Sequence, residues 1–166
     1  MADNIYLGNP NLKKANTPVE FTEANIIEFV KCKNDPVYFA ENYVKIVSLD
    51  EGLVPFKPYD FQRKLITNFH ENRFNICKMP RQTGKSTTSV SYLLHYAVFN
   101  DSVNIGILAN KAATARDLLG RLQTAYENLP KWMQQGIIAW NKGSLELENG
   151  SKILAASTSA SAVRGM

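Results

Sequence analysis

Apolar positions recur along this chain with two different periods, and the periods mark out its elements. From Thr22 onward, Ile26, Ile27, Phe29 and Val30 form a broad apolar stripe at helical spacing, with Thr22 as N-cap and Phe21 and Ile26 at the two staple positions. A second helix is predicted in "NDPVYFAENYV". Asp35 can cap it, and Pro36 suits its first position, where the missing N–H costs nothing. "SLDEGLVPFKP" reads as a loop by its Gly and Pro content. In "YDFQRKLITNF", Phe61, Leu65 and Phe69 stand four apart and predict a helix.

"FNICKM" then reads as a short buried strand, "TTSVSYLLHYAVF" as a buried helix and Val103–Ala109 as a second buried strand. A helix over about 112–129 puts Ala115, Leu118, Leu119, Leu122, Ala125, Tyr126 and Leu129 on one stripe. "SLELENGSKILAA" alternates as a hairpin, with Asn149-Gly150 as a two-residue turn. Residues 1–20 are rich in Asn, Pro and Lys and read as an extended arm, while "STSASAVRGM" reads as a loop.

Strand, loop, helix, strand, helix is the opening of an α/β layered fold over residues 21–166. A parallel sheet usually needs more strands than this stretch offers, so the chain is expected to stop part-way through its fold.

Composition narrows the classes. The 166 residues are 45% hydrophobic and 20% charged, as for a globular protein, and the net charge of +4 mildly favours a polyanionic partner. Cys32 and Cys77 have no zinc spacing and suggest no disulfide framework; Cys77, inside an apolar run, is expected to be a buried thiol. The N-terminus lacks the apolar core of a signal peptide, and no apolar run approaches the ~20 residues that span a bilayer.

The chemistry concentrates in "MPRQTGKST". Gly84, Lys85 and Ser86 end it like a phosphate-binding loop, G-x-x-x-x-G-K-[ST], but Met79 replaces the first glycine. Such a loop converges backbone N–H groups on an anion at a helix N-terminus, where the dipole is positive. Its lysine reaches the β/γ-phosphates and its Ser or Thr holds Mg²⁺. Pro80, with φ fixed near −65°, can force the turn that the missing glycine would permit. Arg81 lies inside the loop, either solvated or DNA-facing, or stabilising γ-phosphate charge in cis. Gln62 is either an exposed helix glutamine or, with a phosphate loop downstream, a reader of an adenine edge, since its amide both donates and accepts. Asp101, Asp117, Glu146 and Glu148 read as surface charges, because none ends an apolar strand after the loop helix.

Together these segments resemble tailed-phage terminase large subunits. "PRQTGKST" is similar to that family's deviant Walker A motif, and "YDFQR" to its adenine-binding segment. "ILANKAATARDLLGRLQTAYENLPKWMQQGI" and "WNKGSLELENGSKILAASTSASAVRGM" look like the T-even-like branch. The resemblance implies a P-loop NTPase of the RecA-like, additional-strand type, here with a helical N-terminal segment and truncated before the Walker B strand. It implies ATP and Mg²⁺ bound by Pro80, Arg81, Gln82, Thr83, Gly84, Lys85, Ser86 and Thr87, with Lys85 and Arg81 catalytic, Ser86 on the metal and Gln62 on adenine. Tyr59 stands where some relatives carry a basic residue.

The implied intact protein hydrolyses ATP to drive double-stranded DNA into a procapsid in the host cytoplasm. It works as a ring on the portal protein, with a small terminase subunit, a separate nuclease domain and no membrane. Lys111, Arg116 and Arg121 either touch DNA or form a solvated helix face. Because Met166 precedes the expected Walker B strand, the chain alone is expected not to hydrolyse ATP. The alternatives are a non-catalytic nucleotide- or DNA-binding half of a split protein, or a superfamily-two helicase piece.

Overall fold

A computed structural model describes residues 4–48 and 50–158. The loop expected over 157–166 falls almost wholly outside the described residues. The fold is α/β with a mixed sheet. Among the described residues, helices α1 (Glu23–Asn34), α2 (Pro36–Tyr43), α3 (Asp60–Glu71), α4 (Lys85–Phe99) and α5 (Ala112–Glu127) accompany eight strands. These are β1 (Ile5–Tyr6), β2 (Asn9–Lys13), β3 (Lys45–Ser48), β4 (Gly52–Pro55), β5 (Asn104–Ala109), β6 (Ile137–Trp140), β7 (Ser144–Leu147) and β8 (Lys152–Ser157). The main sheet runs β5-β8-β7-β6, with β5 and β8 parallel and the other pairs antiparallel.

Local signals set the helix starts. Thr22 Oγ1 accepts from Asn25 N at 3.2 Å, and Asp35 Oδ1 accepts from Val37 N and Tyr38 N at 2.9 Å each. The α5 stripe buries Ala115, Leu119, Leu122, Ala125 and Tyr126 against β5 and β8 on one side and α4 on another. α4 is enclosed by α2, α3 and α5, which is why Leu94, Ala97 and Val98 have no access to water. The α1 stripe is narrower than its sequence suggests: Phe29 packs on Phe99, Cys32 is buried, and Ile26, Ile27 and Val30 stay exposed.

Several expectations change. Residues 74–79, predicted as a buried strand, belong to no strand, and Phe74, Ile76 and Cys77 are exposed. Among the described residues the strands of the main sheet pair with one another and none pairs with this segment, so its amides have no ladder. The Gly/Pro-rich loop is instead a hairpin, β3 pairing with β4 from Lys45↔Pro55 to Ser48↔Gly52. β6, only four residues long, carried no clear period. The β7–β8 connection has four residues, 148–151, not two: Leu147 N donates to Ser151 O, and Gly150 takes the left-handed conformation that closes the turn.

The N-terminal residues form the β1–β2 hairpin, and Leu12 is buried. Lys14 bridges to Ile137 on β6, and Ala15 N donates to Ile137 O. Glu148 is not a free surface charge: its carboxylate accepts from Lys13 Nζ at 2.9 Å and Asn16 N at 2.8 Å. Burial pushes its pKa up, but these donors, with the backbone at Gly136, outweigh burial and hold it below the usual carboxylate range.

Candidate functional site

The loop is built by backbone hand rather than by a first glycine. Gln82 and Gly84 are both left-handed, at φ 62° and 73°, with Thr83 between them, directly before α4. Alternation of hand turns successive N–H groups toward one side, the geometry that binds anions. Gly84 is the N-cap of α4, so the positive end of a fifteen-residue helix adds to those amides. Thr88 N and Oγ1 both donate to Gly84 O, and Thr83 Oγ1 donates to Pro80 O, which fixes the loop at each end.

Lys85 opens α4, and its ammonium donates to the carbonyl oxygens of Met79 (3.2 Å) and Pro80. Its charge therefore sits inside the loop's curve. Ser86 and Arg81 are exposed, Thr87 half-buried. A hydroxyl at Ser86 can take a divalent cation through oxygen, as Mg²⁺ prefers. The residues at hand thus fit a magnesium-bound triphosphate by the chemistry of their donors.

Gln62 is not an exposed helix glutamine. It is only 4% exposed, and both ends of its amide are engaged by backbone, Oε1 by Tyr59 N at the start of α3 and Nε2 by Thr83 O in the loop. Beside it Tyr59 and Phe61 are exposed, their rings stacked with centroids 5.8 Å apart. Arg63, next along α3, pairs with Glu41 of α2 and Asp60, fixing α3 against its neighbour.

A cavity of about 620 Å³ opens beyond the first turn of α4, between Ile46 of β3, Thr87 and Val90 of α4, and Gly120 and Arg121 of α5. Gly120 lines it, and a methyl group there would meet nothing within 4 Å. Glycine inside a helix costs roughly 0.5–1 kcal/mol relative to alanine. Gly120→Ala is therefore expected to raise stability by about that amount in a urea melt; a lower midpoint would show that the cavity needs the glycine.

Lys111, Arg116 and Arg121 are all exposed on or beside α5, and Arg121 is paired with Asp117 at 3.0 Å. Among the described residues there is no cluster of three or more His, Cys, Asp or Glu side chains able to hold a metal, and no helix is long and apolar enough to cross a membrane. The sequence missed the engagement of Gln62, because its partner Thr83 lies 21 residues away.

Residues 76–166 match the protein family described as terminase large subunit, T4likevirus-type, N-terminal. The match spans more than half of the chain and takes in the loop, α4 and the whole main sheet.

Proposed function

Because the chain belongs to the T4likevirus-type terminase large subunit family, a family of viral DNA-packaging proteins, we propose that it is the nucleotide-binding part of an ATP-driven motor. The observation that carries this reading is the pair of left-handed residues, Gln82 and Gly84, immediately before Lys85 at the start of α4. Amides turned to one side, a helix N-terminus and a lysine ammonium converge there, and a triphosphate is the ligand that uses all three.

On this reading the sheet and helices belong to a P-loop fold of the RecA-like, additional-strand type. Lys85 binds the β/γ-phosphates, Ser86 holds Mg²⁺, and the amides of Gln82, Thr83, Gly84 and Thr87 with Pro80 shape the cradle. Magnesium supplies charge neutralisation between the β- and γ-oxygens. Arg81, exposed on the loop, reaches toward the γ-phosphate, and Gln62 retains one N–H and one lone pair for an adenine edge. The intact motor works in the host cytoplasm as a ring on the portal, with a small terminase subunit, moving double-stranded DNA and cutting it with a separate nuclease domain.

Titration with Mg·ATP tests the reading. Lys85→Ala removes a charge-assisted contact worth about 1.5–3 kcal/mol, so affinity is expected to fall roughly 10- to 150-fold. Equal affinity for wild type and variant, or no saturable binding by either, would reject the loop as a triphosphate site.

A further inference from the structure

We propose that Gln62 is a positioning residue that holds the phosphate loop in its binding shape by tethering it to the N-terminus of α3. The inference rests on the loop's reading as a triphosphate site, and it gives Gln62 a task that precedes any contact with a base.

The geometry is a two-ended clamp. Gln62 Oε1 accepts from Tyr59 N at 2.9 Å, which is the third-residue half of a capping box on α3. At the other end, Nε2 donates to Thr83 O at 3.3 Å. Thr83 is the residue between the two left-handed positions of the loop. One planar group thus fixes the start of one helix and the turn before another. The residue is nearly inaccessible to water, so neither end exchanges its partner for solvent without cost.

Gly84 supplies an independent observation. A Cβ there would collide with Nε2 of Gln62. The glycine therefore answers two constraints, its left-handed φ of 73° and the close approach of the Gln62 amide. The neighbours of Gln62 face the other way: Tyr59 and Phe61 are exposed and stack on each other. Sequence neighbours are thus divided, two rings outward and the amide inward onto the loop.

A glutamine that only read a base would behave differently from one that shapes the loop. The discriminating ligand is tripolyphosphate, which has the phosphates and no base. Gln62→Met keeps the length of the side chain and removes both hydrogen bonds. Without any ligand, hydrogen exchange at the amide of Thr88, which is bonded to Gly84 O at the end of the loop, is expected to quicken about 5- to 10-fold, the loss of a hydrogen bond of roughly 1 kcal/mol, while amides of α5 exchange as before. Affinity for tripolyphosphate and for ATP should fall by the same factor.

Unchanged exchange at the Thr88 amide would overturn the proposal. So would a variant that weakens ATP but leaves tripolyphosphate untouched, since that is the signature of a base contact alone. If wild-type protein binds neither ligand, the triphosphate reading fails, and the exchange measurement still decides the tether. Gly84→Ala gives a second check. It should disturb exchange at Thr88 more in the wild-type background than beside Gln62→Ala, where the colliding atom is gone; equal disturbance in both would also count against the clamp.

Discussion

Arg81→Ala in the full-length protein is expected to cut ATP turnover by ~10³–10⁵-fold, the range over which an arginine acting on γ-phosphate charge contributes. Nucleotide affinity should change little. The residue follows Pro80, whose fixed φ sets the direction of the chain, and precedes the left-handed Gln82, so it projects from the loop where the two turns begin. It is exposed, whereas Lys85 is drawn back onto Met79 and Pro80. On the proposed reading the two cations divide the work: Lys85, inside the curve, would bind ground-state phosphate, and Arg81, outside it, would meet charge that grows in the transition state. Only the second kind of contact appears in turnover without appearing in affinity. A steady-state assay beside a binding titration separates them, and equal turnover in Arg81→Ala would end the assignment.

Acid should weaken the fold through His95. The ring lies in the interior of α4, 2% exposed, packed among Phe39, Tyr92 and Phe99, with His70 at 6.1 Å. Its Nε2 is 2.8 Å from Cys32 O, which makes Nε2 the donor and leaves Nδ1 bare and unpartnered. Burial lowers its pKa to about 4, assisted by His70 and opposed by the carbonyl contact and Asp35. A histidine depressed in the folded state is protonated first in the unfolded chain, so stability is full above pH 6.5 and is lost as pH falls toward 4. At about 1.4 kcal/mol per unit, the whole window is worth roughly 3 kcal/mol. Urea melts at pH 7 and 4.5 should show most of that loss, and His95→Gln, which keeps a donor for Cys32 O, should lose much less. An identical slope in the variant would place the acid sensitivity elsewhere. Glu148, also depressed, acts at lower pH and in the same direction.

Features decided within a few residues were legible in the sequence. Thr22, Asp35 and Pro36 start helices by contacts inside one turn, and the α5 stripe repeats long enough for its period to be unambiguous. Gly84-Lys85-Ser86 announced the loop by spacing. What could not be read depends on partners far along the chain. Phe74 and Ile76 have the character of a buried strand, but burial is conferred by neighbouring strands, and among the described residues none pairs with them. Glu148 looked like a surface charge because Lys13, more than a hundred residues away, is what engages it. The β3–β4 hairpin was hidden by Gly52 and Pro55, whose turn character overrode a short apolar run. Gln62 was noticed for the right segment, but its inward orientation follows from Thr83 and Gly84.

The arm that reaches β6 also gives the main sheet a direction of growth. With Lys14 and Ala15 bonded to Ile137, the β6 border is partly closed by the chain itself, and Gly136 allows this approach because a Cβ there would collide with Glu148 and Ala15. At the opposite border, β5 pairs through one side only among the described residues. Among the described residues, an additional strand joining this sheet therefore finds a full row of unpaired backbone groups alongside Asn104–Ala109. Edge-to-edge stacking of the main sheet would use that same line.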